Sequence, residues 1–202
     1  MNVKANFDII YYLSHPRNQY NEQTSYEINT MLYLAELLSI YDGQNTRSWG
    51  YNFARNRYGA PMSVELENEI NFLLSKGILN DSGEGYYHIS DEIFANTILL
   101  QAKTSIFRTR TKYIDAAIDS LLTKSFPRVV SAIKNEPGIS LMDTLDRTST
   151  LLNDTLVKAL YEDFGVLQSV IGDPEIELVV PASLWIDYLS SQTVQTGENN
   201  GK

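Results

Sequence analysis

Residues 31–89 constrain this chain more than any other part. They open on the apolar run MLYLAELLSIY, which stops at Asp42-Gly43. Ile28, Met31, Leu32, Ala35 and Leu38 recur at helical spacing, and Ser25 is placed to cap that helix. Residues 44–60, QNTRSWGYNFARNRYGA, are polar, aromatic and arginine-bearing, with a short helix expected around 51–56. Pro61 or Ser63 then starts an amphipathic helix. Leu66, Ile70, Leu73 and Leu74 form its apolar stripe, while Glu65, Glu67, Glu69 and Lys76 are expected to look outward. Gly77 suits the left-handed position after a helix. Residues 78–79 and 86–89 predict two short strands around the turn Asp81-Ser82-Gly83-Glu84-Gly85.

Packed helices, a third amphipathic helix and a β-hairpin, in that order, are what a winged helix requires. The expected fold class is therefore mostly α: a winged-helix domain over 1–90 with a short β-hairpin, then a helical domain over 91–190. A first helix over 3–14 precedes the segment and ends at His15-Pro16, because proline disfavours helix in the residue before it. Beyond Ser90-Asp91, Phe94, Ile98, Ala102 and Ile106 predict one long helix. Ile114, Ala117, Ile118, Leu121 and Leu122 predict another, which Pro127 interrupts. Pro137-Gly138 reads as a turn, 175–180 as a short strand, 181–189 as a last short helix and 191–202 as a disordered tail.

Charge restricts the partners. The formal net charge is −9, so the mean field repels phosphate. The distribution is uneven: from 101 to 134, seven bases face two acids, and from 135 to 202, eleven acids face three bases. Solvated helix faces account for this, and so does a basic contact surface beside an acidic one. Cysteine is absent, which removes disulfides and thiol chemistry and fits a reducing cytoplasm. No apolar run approaches the roughly 20 residues that span a bilayer, and the N-terminus lacks a signal-peptide pattern. The expected location is cytoplasmic, with no membrane partner.

Motifs for catalysis are missing. His15 and His88 have no metal-ligand spacing. No Gly-x-Ser-x-Gly and no glycine-rich phosphate loop occurs. The acidic pairs Asp143/Asp146 and Glu175/Glu177 lack the lysine a metal-dependent nuclease adds. The expectation is a non-enzyme with no catalytic or metal residues, no cofactor and no small-molecule substrate.

The most suggestive cluster joins arginine to aromatics. Arg55 and Arg57 stand among Trp49, Tyr51, Phe53 and Tyr58, a composition found at protein hot spots and on nucleic acid. These six are the candidate protein interface; packing of the aromatics under the third helix is the alternative. Lys103, Arg108, Arg110 and Lys112 are the candidate contact to DNA or to an acidic partner. Three glutamates on the third helix argue against direct base reading.

MLYLAELL at 31–38, RYGAP at 57–61, Ser63-x-x-Leu66 and FLLSKGIL at 72–79 resemble the Panacea-type domain of prokaryotic antitoxins. The same segment is similar to the small middle components of prokaryotic three-component ABC systems, as in Lamassu-type phage defence. The first resemblance implies neutralisation of a toxin by direct binding. The second implies a non-catalytic accessory subunit that clasps an SMC-like ATPase and an effector, with auxiliary DNA contact. A winged-helix DNA-binding regulator is the remaining alternative.

Overall fold

A computed structural model describes residues 1–18, 22–144, 150–173 and 175–198. The chain is mostly helical, with a few short antiparallel strands. Helix α1 (Val3–Ser14) is capped by the Asn2 side chain, which accepts from the backbone N–H groups of Lys4 and Ala5. Strand β1 (Gln23–Thr24) leads into α2 (Ser25–Tyr41). The cap of α2 is Thr24, one residue before the serine expected: Thr24 and Glu27 form a reciprocal capping box. Every residue of α2 from Ile28 onward is buried. A helix buried on all sides belongs inside, and α2 is the helix on which α1, α3, α5, α6 and α8 pack.

Residues 42–60 hold a 3-10 turn (Thr46–Ser48) and strand β2 (Ala54–Arg55), not the helix expected at 51–56. β2 pairs antiparallel with β3 (Pro61–Met62) in a two-stranded hairpin. Then come α3 (Val64–Ser75), capped by Ser63, and strands β4 (Leu79–Asp81) and β5 (Tyr86–Ile89). Gly83, Glu84 and Gly85 between those strands all take positive φ. β1 adds to the hairpin in the order β1-β5-β4, all antiparallel. The element order of this half is α1-β1-α2-β2-β3-α3-β4-β5, helical with a small three-stranded antiparallel sheet.

The second half is α4 (Glu92–Gln101), α5 (Ser105–Ser120), α6 (Phe126–Lys134), α7 (Pro137–Thr144), α8 (Asp154–Ile171) and α9 (Val179–Glu198). Four expectations change here. The long helix through Ile106 is broken at Thr104, which precedes α5. Pro127 starts α6 instead of interrupting a helix, because its missing N–H is unneeded in a first turn. Pro137 opens α7 for the same reason, with the Glu136 side chain accepting from Ile139 N at 3.0 Å. Residues 175–178 are a turn, not a strand, and Val179–Val180 already belong to α9. Leu178, Ala182, Trp185, Ile186 and Leu189 are buried at helical spacing, so burial favours the helix. α9 runs through part of the expected tail; 199–202 lie outside the described residues.

One hydrophobic cluster runs from Ala5 to Leu189 and crosses the boundary at residue 90. α2 packs on α5 and α8 as well as on α1 and α3, so both halves share its core.

Candidate interaction surface

The aromatic–arginine loop divides in two. Trp49, Tyr51 and Phe53 are 3%, 3% and 1% exposed, so they are not an interface. They form an edge-to-face chain inside the core: Tyr33–Phe53 at 5.2 Å, Tyr51–Phe53 at 5.6 Å and Trp49–Tyr51 at 6.2 Å between ring centroids. The loop folds inward because it has three large rings to bury and α2 offers an apolar side. Arg57 and Tyr58 remain exposed at the hairpin tip, the guanidinium 4.6 Å from the ring centroid. Arg55 is half-buried on β2.

The basic segment is answered by acids from elsewhere. Arg110 is buried, not a surface contact: its Nε and Nη2 donate to the two carboxylate oxygens of Asp8 on α1. Tyr51 Oη donates to the same carboxylate at 2.6 Å, and the guanidinium lies 3.9 Å from the Trp49 ring centroid. Burial pushes the Asp8 carboxyl up, and the Arg110 charge works against that rise. For Arg110, burial favours the neutral form, but the Asp8 carboxylate outweighs it and holds the guanidinium charged. Lys112 pairs with Asp42 at 3.1 Å. Lys124 and Arg128 share Asp187 of α9 at 2.6 and 2.8 Å. Arg108 and Lys103 remain exposed, and Arg108 Nη2 donates to the Lys103 carbonyl at 3.1 Å. A run that reads as strongly basic in one dimension is thus largely neutralised in three.

The glutamates of α3 do not all face outward. Glu69 is 4% exposed and accepts from Asn6 Nδ2 at 3.3 Å and from the Asn2 backbone N–H. Glu67 accepts from Asn29 Nδ2 at 2.8 Å and from Ser25 Oγ. Glu65 accepts from Ser63 Oγ at 3.1 Å. The exposed row of α3 is Val64, Asn68, Asn71, Ser75 and Lys76, which is neutral or basic.

Glu36 on α2 is 2% exposed, and its Oε2 is buried with no hydrogen-bond partner among the described residues. Burial pushes its carboxyl well above the usual range; the Arg110 charge opposes this and Asp8 adds to it. A carboxyl with a raised folded pKa binds its proton more tightly in the native state. Its stabilising effect is complete below the unfolded pKa of about 4.3 and is lost as pH rises toward the folded value. Glu36→Gln is expected to remove a loss of up to about 1.4 kcal/mol per pH unit over that window. Urea titrations of both proteins from pH 5 upward check this; parallel pH profiles would show that Glu36 does not titrate with folding.

The histidines stand apart. His15 Nε2 lies 3.3 Å from Asp115, which also accepts from Tyr11 Oη at 2.6 Å. His88 Nδ1 lies 2.8 Å from Ser82 Oγ in the wing. Among the described residues no group of three or more His, Asp or Glu is placed to hold a metal ion. No helix among them is long and apolar enough to cross a membrane.

Helix α4 has one buried face and an outer face that mixes apolar Ile93 and Leu100 with polar Asn96 and Thr97. Ala95 and Ile98 are buried, and α4 packs on α1. On the outer side Ile93 and Leu100, two turns apart, are 83% and 66% exposed. Comparison of the chain with protein-family models, with curated proteins and with solved structures returned no match.

Proposed function

We propose that this protein is a non-catalytic winged-helix subunit that works by binding other proteins. Two large apolar side chains left exposed on the outer side of α4 carry the reading: α1 covers the other side, and Ile93 and Leu100 offer apolar area to a partner. Ile93 and Leu100 then form the centre of a docking surface, a role the sequence had given to the loop aromatics. The resemblance of residues 31–79 to the middle components of three-component ABC systems supports an SMC-like ATPase and an effector as the partners. The paired or buried state of most of the basic segment supports protein binding over nucleic-acid coating.

The test is co-expression with the products of the neighbouring genes. Stoichiometric co-purification with a large ATPase is expected. Ile93→Glu combined with Leu100→Glu should abolish it while leaving the unfolding free energy within about 0.5 kcal/mol of wild type, as exposed substitutions do. A partnerless monomer in the native host, or a double variant that still co-purifies, would sink the reading.

One observation favours a second reading, auxiliary DNA contact. Asn68, Asn71, Ser75 and Lys76 line the open side of α3, and Arg57 stands exposed on the hairpin before it. Such side chains suit a groove and its phosphates. Binding to duplex that weakens with salt and disappears on Arg57→Glu plus Lys76→Glu is its signature. Salt-insensitive binding, or none, removes it.

A further inference from the structure

We infer that the cavity between α1, the loop after α2 and the first turns of α5 binds a small amphipathic anion: a carboxylate carried on a flat apolar body. The cavity encloses about 430 Å³, in the range of small-molecule sites. Trp49, Phe107 and Tyr113 line it. Phe107 is itself stacked on Phe7, centroids 3.9 Å apart, so that wall is pre-formed. Val3 and Ile106, 57% and 79% exposed, supply an apolar rim.

Its electrostatics set it apart in an acidic protein. Among the described residues no carboxylate lines it. Four other cavities of the fold each carry at least two: Asp42 and Asp173, Glu22 and Glu92, Glu36 and Asp154, and the groove that includes Asp115 and Glu175. Arg110 also lines this cavity, but Asp8 balances its charge, so the excess positive charge is that of Lys4. The exposed Lys4 stem lies across Gly50, which has φ +98°; a Cβ there would stand 2.6 Å from Lys4 Cδ. The ammonium donates to the Ser48 carbonyl at 2.6 Å, which leaves two of its three protons for a ligand. Trp49 contributes a ring to the wall while its Nε1 is buried. Aromatic walls select a flat body, and the unspent ammonium in a carboxylate-free site selects an anion. The ligand is bound, not transformed, and the site is separate from the outer face of α4.

The full chain is titrated with naphthoate, with its uncharged isostere naphthamide and with naphthylmethylammonium, by calorimetry and by the indole N–H resonances of the two tryptophans. Naphthoate is expected to bind about tenfold more tightly than the amide, and to shift the Trp49 indole but not that of Trp185. Lys4→Gln should erase the preference. Thr109→Asp, which adds a carboxylate to the lining, should turn it toward the ammonium compound. Both sites are exposed, and a native unfolding curve confirms that each variant folds. No binding of naphthoate, equal binding of all three probes, a preference that survives Lys4→Gln, or a shift at Trp185 alone each overturns the inference.

Discussion

Arg110→Met is expected to lower the unfolding free energy by about 3–5 kcal/mol, the range for breaking a buried ion pair by removing one partner. Asp8 is fully buried, and without Arg110 only the Tyr51 hydroxyl remains among the described donors to its carboxylate. Trp49 also loses the cation stacked on its ring. The deficit should grow as pH rises above the unfolded Asp pKa of about 3.9, because the unpaired carboxyl resists ionisation in the folded state. Asp8→Asn in the same chain removes the orphaned charge and is expected to restore part of the loss and to flatten the pH dependence. Urea denaturation of the two variants measures both effects. A single-variant cost under about 1 kcal/mol would show that the centre is solvated, and Arg110 would return to the list of surface contacts.

Phe53→Ala and Tyr58→Ala should separate by several kcal/mol although the residues are five apart. Phe53 is 1% exposed and packs against Tyr33 and Tyr51, so truncation is expected to cost about 3–5 kcal/mol. Tyr58 is 69% exposed, and its truncation should stay within about 0.5 kcal/mol. Thermal or urea unfolding checks the pair. Equal, small costs would restore the aromatic loop as a surface anchor. In the structure its three rings line the core, and its polar residues, Asn45, Arg47, Ser48, Asn52 and the hairpin tip, face out.

The helices were legible in the sequence to the extent that their signals are local. The span of α1 follows from the Asn2 cap and from Pro16, and that of α3 from Ser63 and Gly77. The β4–β5 turn follows from Gly83 and Gly85, which accept positive φ. Strand β1 was not legible, since two residues carry no period and its existence depends on pairing with Tyr86 and Tyr87. The strand expected near 175–180 failed for the converse reason. A short run such as Ile176-Glu177-Leu178-Val179-Val180 fits strand or helix, and the partner available to it was the apolar face of neighbouring helices. The candidate cavity left one trace in the sequence, Gly50 beside Trp49, and nothing local connects that pair to Lys4 and Phe107.

Composition and periodicity by themselves determined the class of the molecule: mostly helical, with a short β-hairpin after the third helix, because caps, turns and apolar stripes act within a few residues. Which charges and rings face a partner was decided only in three dimensions. Asp8 and Arg110 lie 102 residues apart, as do Arg17 and Asp119, and Lys112 and Asp42 are 70 apart. Charge neutralisation acts through space, so a basic run meets its acids from other helices and three loop aromatics turn inward. The surfaces proposed for recognition are the outer side of α4, the neutral or basic row of α3 and the cavity beside Lys4.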